Sequence, residues 1–297
     1  MAEELRPEHI QPETRRALAR SRKKLFLTVI SVSVACTLIT VAAQTMGDDS
    51  TSTYLSLAVS DALGVTTSGS ALALSLGVIY RQKLKGLLPK MYASLGLALS
   101  LWFAAEVIWA YYEVGVAIET PFPSIADAFW LAGYAPFVYF LIGILKHFVG
   151  ISRSILLPLL PIASIGLILI GNILFSVYQS ADLTSQDGIM AYVIGSAYPI
   201  VDIFLIIPAI AAFVQVRKGR LTFTPWVLIV AATVILTVAD IGFAYSALNE
   251  ELDDLVWVWN PLYNASYVAI ASALFWHKSF FTVDEKKLMQ RWQEKNR

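Results

Sequence analysis

The sequence predicts an all-α, polytopic membrane protein of eight transmembrane helices, built as two parallel four-helix halves with both termini in the cytoplasm. Three observations carry this. The 297 residues are 57% hydrophobic and only 15% charged, and apolar runs of about 20 residues recur along the whole chain. All 22 Lys and Arg residues fall in segments that can share one side of a membrane. Short acid–aromatic motifs of the first half return in the second.

Residues 1–24 form a basic tail. The first half (25–150) holds spans at 25–44, 54–80, 91–113 and 124–145. The second half (151–277) holds spans at 155–178, 189–215, 223–246 and 255–276. Residues 278–297 form a charged tail. Each span can cross about 30 Å of hydrocarbon as a helix, which satisfies its own backbone polar groups where lipid cannot. Strand-like alternation is absent, which argues against a barrel. The first span carries a passable cleavage site at Val41-Ala42-Ala43. Its basic flank and apolar stretch are both too long for a signal peptide, so it is expected to stay as a helix.

Orientation follows from the loops. Basic clusters at Arg15–Lys24, Arg81–Lys90, Lys146–Arg153, Arg217–Arg220 and Lys278–Arg297 alternate with Lys/Arg-free loops around Asp48, Glu119, Asp182–Asp187 and Glu250–Asp254. The positive-inside rule places the basic clusters and both termini in the cytoplasm, with the plasma membrane as the expected location. The formal net charge of zero hides a strong dipole across the bilayer.

The halves match in their motifs. Ala105-Glu106 with Ala110-Tyr111 in span three recurs as Ala239-Asp240 with Ala244-Tyr245 in span seven, at identical spacing. Asp127 with Trp130 in span four recurs as Asp254 with Trp257 in span eight. An even number of spans per half makes this a parallel repeat, related by an axis along the membrane normal.

The candidate site lies among the acids of the outer half. Asp61, Glu106 and Asp240 sit about 10 Å below the outer ends of their spans, and Asp202 about 18 Å down. Asp127 and Asp254 sit at outer mouths. Helical spacing puts Trp109 beside Glu106, Trp130 and Tyr134 beside Asp127, and Trp257 beside Asp254, while Tyr198 and Tyr245 add phenols nearby. Charges at membrane depth face the protein interior or a wet cavity. Carboxylates without basic partners either keep a proton or recruit a positive ligand. Aromatic faces favour an ammonium group. These twelve residues are therefore expected to line an outward pocket for a small cation. An ion or proton pathway through the membrane, or simple helix–helix glue, would use the same residues. The inner half offers no matching acids, which tips the reading from transport towards binding.

Other chemistry is thinly represented. The single Cys36 excludes a disulfide within the chain. His9, His147 and His277 fall in cytoplasmic segments and read as solvated or interfacial. No phosphate-binding glycine loop, zinc-protease motif or nucleophile elbow occurs, so no enzyme, no cofactor and no nucleic-acid partner is expected. The metal question stays open at the oxygen-rich acids.

Three strings carry a resemblance: PFPSIADAFWLAGYAPF at 121–137, AYPIVDIFLIIPA at 197–209, and VADIGFAY followed by DDLVWVWNPLY within 238–263. They resemble the multi-helix membrane input regions that precede diguanylate cyclase or histidine kinase domains in prokaryotic signalling proteins. The resemblance implies a sensor of something at or outside the membrane. It reaches Asp127, Trp130, Tyr134, Pro199, Asp202, Asp240, Tyr245, Asp254 and Trp257. Pro261 stands where the pattern would repeat Tyr134. About 20 residues follow the last span, too few to fold alone. A separate cytoplasmic signalling partner is expected at this tail.

Overall fold

A computed structural model describes residues 12–45, 50–82, 87–118, 122–148, 183–216, 223–247 and 252–295, with Asn249 and scattered positions between 164 and 179. Among the described residues the regular structure is entirely helical. The helices are α1 (Pro12–Gln44), α2 (Ser50–Gln82), α3 (Leu87–Ala110), α4 (Ile125–Phe148), α5 (Gln186–Val216), α6 (Phe223–Ala247) and α7 (Asn260–Lys295). Helix α3 continues into a π-helical turn, Tyr111–Gly115, and α7 is preceded by a 3-10 stretch, Asp253–Trp259.

Six helices, α1 to α6, contain stretches long and apolar enough to cross a membrane. The expected fifth span, 155–178, lies largely outside the described residues. The expected eighth corresponds to α7, which is long but less apolar. Its second half is charged, with Asp284, Glu285, Lys286, Lys287, Arg291, Glu294 and Lys295, and its first half carries a polar stripe at Asn260, Tyr263, Asn264 and Tyr267, spaced i, i+3, i+4, i+7 along one face.

Packing closes a ring. Neighbour contacts run from α2 through α3, α4, α5 and α6 to α7, and α7 returns to α2. Helix α1 lies outside the ring against α2 and α7. Its Leu27, Ile30, Val34 and Leu38 are exposed, as a lipid-facing surface requires. The ring interior is filled by Leu95, Leu99, Phe137, Phe140, Leu141, Leu205, Ile270 and Leu274, each essentially inaccessible.

Small residues set the closest approach. A Cβ on Gly143 would lie 1.7 Å from Met91 Sδ, and one on Gly133 would lie 2.4 Å from Trp102 Nε1. Glycine at both positions lets α3 and α4 pack backbone to side chain, as membrane helices commonly do. Pro136, inside α4, cannot donate to the preceding turn, and its own carbonyl accepts from Ser94 Oγ at 2.7 Å.

At the end of the bundle near Lys278, His277 is 4% exposed, not solvated as the sequence suggested. Its Nδ1 lies 3.0 Å from Tyr92 Oη, and the two rings stack at 4.4 Å. Helix α7 carries His277 inward because that residue lies seven positions, close to two full turns, beyond the buried Ile270.

Candidate functional site

One partly open cleft of about 710 Å³, counting its mouth, sits inside one end of the ring. It is framed by the middle of α2, the first turns of α4 and α7, the last turns of α3 and α6, and Tyr198 of α5. All six ring helices therefore contribute.

Of the twelve residues singled out from sequence, Asp61, Glu106, Trp109, Asp127, Trp130, Tyr134, Tyr198 and Asp240 line the cleft. Asp202 is fully buried and lies behind Tyr134, whose phenol oxygen is 3.2 Å from it, rather than in the lining. Tyr245 does not take part and is 37% exposed. It follows Asp240 by five positions, which turns it about 140° around α6. Trp257 is also outside the lining; the 3-10 stretch carries Trp259 instead onto α6, where it covers Gly242 and donates to Ser246 Oγ at 3.0 Å. The side chain of Asp254 lies outside the described residues.

The acids fall into three settings. Asp127 closes the start of α4. Ser124 Oγ accepts from the Ala126 amide at 3.2 Å, and the Ser124 amide donates to Asp127 Oδ2 at 2.7 Å. This is a capping box, and it satisfies backbone donors that the helix start would otherwise strand. The second oxygen, Oδ1, accepts from Tyr198 at 2.7 Å.

Asp240 is held on both oxygens. Tyr263 donates to Oδ1 at 2.8 Å, and Tyr134 makes a short hydrogen bond to Oδ2. Tyr134 also contacts Asp202. A phenol has one proton, so satisfying both contacts takes one further proton from the carboxyl pair. Thr237 lies beside Asp202, yet neither its hydroxyl nor Asp202 Oδ2 completes a hydrogen bond.

Asp61 and Glu106 are held less completely. Glu106 Oε1 accepts from Tyr267 at 2.8 Å and from Trp130 Nε1 at 3.3 Å. Its Oε2 takes no hydrogen bond and lies against Gly64, where an added Cβ would come within 2.7 Å. Asp61 faces Glu113, which the π-helical turn places inside at 5% exposure. Asp61 Oδ2 is buried without a hydrogen bond.

Aromatic rings complete the walls. Trp109 meets Trp130 at 5.4 Å and Phe243 at 5.9 Å, while Trp102 meets Tyr134 at 5.8 Å and Tyr267 at 6.3 Å, near the spacing of attractive tilted and edge contacts. Trp102 Nε1 donates to the Trp130 backbone carbonyl at 2.9 Å, which fixes the Trp102 indole against α4.

Sequence reading missed Glu113, Asn260, Asn264 and Tyr267. The i, i+3, i+4, i+7 stripe of α7 was visible in the residue order; its orientation was not. Two of these residues tie α7 to α2: Asn260 Nδ2 donates to Ser60 Oγ at 2.8 Å, and Asn264 Oδ1 lies 2.7 Å from Thr67 Oγ1. Among the described residues no Lys, Arg or His lines the cleft, and no group of three or more His, Cys, Asp and Glu side chains is arranged to hold a metal.

No family model, curated protein or solved structure matches this chain.

Proposed function

We propose that the chain is a non-enzymatic, sensor-like membrane module whose cleft binds a small cationic ligand from the outer side. The supporting observation is a partly open cleft lined by Asp61, Glu106, Asp127 and Asp240, walled by indoles and phenols, with no basic side chain among its described lining. Uncompensated carboxylates in an apolar setting are costly, and a bound cation relieves that cost. The rings add attraction for an ammonium group, worth up to about 2 kcal/mol when desolvated.

The cleft lies at the end of the bundle away from Arg81 and Lys90, so the positive-inside rule makes it outward. In this reading eight spans cross the plasma membrane, both termini are cytoplasmic, and 155–178 is the fifth span. The contact order α2–α3–α4 matching α5–α6–α7 supports a parallel repeat, with Glu106 and Asp240 as counterparts. Beneath the cleft the ring is filled by Leu99, Phe137, Leu205 and Ile270, which favours a dead-end pocket over a permeation route. The C-terminal end of α7 would carry the signal to a separate cytoplasmic partner.

The test is a titration of tryptophan emission, since Trp102, Trp109 and Trp130 line the cleft. The full chain in nanodiscs is titrated with 2-phenylethylamine, N,N,N-trimethyl-2-phenylethylammonium, calcium chloride and neutral 2-phenylethanol. At least one cation should give a saturable change that the alcohol does not. Equal response to the alcohol, or no response to any cation up to millimolar concentration, would refute the reading.

A further inference from the structure

The acids of the cleft differ in how much acceptor capacity remains. Asp127 is consumed by its capping box and Tyr198. Asp240 is consumed by Tyr263 and Tyr134. On the opposite wall the capacity is open. Glu106 Oε2 takes no hydrogen bond, and Asp61 Oδ2 takes none either, although the Asp61 carboxyl lies against that of Glu113.

The amides of α7 add to this wall. Thr67 Oγ1 lies 2.9 Å from the Leu63 carbonyl, one turn back in α2, and 2.7 Å from the Asn264 amide. A hydroxyl has one proton, and threonines inside helices commonly give it to the carbonyl of the preceding turn. The structure sets the Asn264 carbonyl oxygen against Thr67; turned over about its amide plane, Asn264 offers Thr67 its NH₂ and the cleft its oxygen, and the hydroxyl then keeps its proton for Leu63. The two amide ends are alike in shape, so hydrogen bonding decides their placement. Asn264 is 1% exposed, lines the cleft and has no other partner. Asn260, one turn earlier, donates its NH₂ to Ser60 and leaves its oxygen free on the same face.

We propose that the recognition pole of the cleft is the seam of α2, α3 and α7, where Asp61, Glu106, Asn260 and Asn264 converge, and that it is built for a primary ammonium group. This rests on the cation-binding reading above. An ammonium carries three N–H donors and no acceptor. The pole supplies acceptors of two kinds, carboxylate and amide oxygen. A quaternary ammonium would leave those acceptors unmet in a dry site, which is heavily penalised. Trp109 and Trp130, beside Glu106, place an apolar or aromatic body next to the charge. The ligand class is therefore a small primary amine with an apolar body.

The experiment compares 2-phenylethylamine with its N,N,N-trimethyl analogue on the wild-type chain in nanodiscs. It then compares 2-phenylethylamine on the wild type, Glu106→Gln, Asn264→Ala and Asp240→Asn. The primary amine should bind at least tenfold tighter than the quaternary analogue. Glu106→Gln should weaken it at least tenfold, and Asn264→Ala several-fold. Equal or tighter binding of the quaternary analogue would overturn the donor-matching argument while leaving cation binding intact. A loss with Asp240→Asn but not with Glu106→Gln would move the pole across the cleft. Binding of neither cation would end this inference and, if calcium is also silent, the reading beneath it. The wild-type comparison needs no variant, so a misfolded mutant cannot spoil the result.

Discussion

Replacing Gly133 by alanine sets two opposing effects against each other, and the structure decides the sign. Alanine inside a helix is favoured over glycine by about 1 kcal/mol. Against that, the new methyl would lie 2.4 Å from Trp102 Nε1, 2.5 Å from its Cδ1 and 3.2 Å from the Ala98 carbonyl oxygen. The indole cannot swing away cheaply, because it is 1% exposed and its N–H is bonded to the Trp130 carbonyl. Overpacking of this kind costs about 1–3 kcal/mol, and losing the indole hydrogen bond about 0.5–1.5 kcal/mol more. The net is a destabilisation of about 0.5–3.5 kcal/mol. Gly77→Ala is the matched control: its nearest obstacle, at 3.0 Å, is the flexible end of Lys278. Thermal unfolding in one detergent, followed by tryptophan emission, should show Gly133→Ala melting several degrees below wild type and Gly77→Ala at or above it. A Gly133→Ala protein melting at or above wild type would refute the close α3–α4 packing that positions Trp102 in the cleft.

Other outcomes follow from the same geometry. Ser124→Ala removes the N-cap of α4 and should cost about 1 kcal/mol in a chemical denaturation series, since the Ala126 amide loses its acceptor. Tyr134→Phe removes the phenol between Asp202 and Asp240; it should destabilise by about 0.6–1.7 kcal/mol, the span measured for intramembrane polar contacts. Tyr111→Phe, at a 64% exposed phenol, should be silent in the same melt. On a Cys36→Ala background, single cysteines at Asp48, Ser185 and Ala247 should react with an impermeant thiol reagent added to intact cells, and one at Lys85 should not. Labelling at Lys85 from outside would invert the topology.

Much of the cleft could be read from sequence because its acids and rings share helical faces. Asp127, Trp130 and Tyr134 repeat every three to four residues, and an acid at membrane depth has few places to go. What escaped depends on local departures from the α-helix or on distant contacts. Trp257 was placed by continuing an α-helical phase through a stretch that is 3-10, with three residues per turn instead of 3.6. Asn260, Asn264 and Tyr267 carry no charge at membrane depth, the feature that marks the acids in the residue order. Glu113 sits in a π-helical turn that residue order does not announce. Closure of the ring by α7 on α2, and the burial of His277 against Tyr92, join residues nearly 200 positions apart. No local periodicity encodes such a contact.

The central claim is that a cation binds inside the ring rather than on its surface. A cleft-filling substitution tests this without presuming which acid matters. Gly64 lines the cleft, and any side chain there is built towards Glu106 Oε2. Equilibrium binding of 2-phenylethylamine should be compared between wild type and Gly64→Leu, both shown by melting to be folded. The account predicts saturable binding to the wild type and a loss of at least tenfold in the variant. Undiminished binding to a folded Gly64→Leu protein would contradict it.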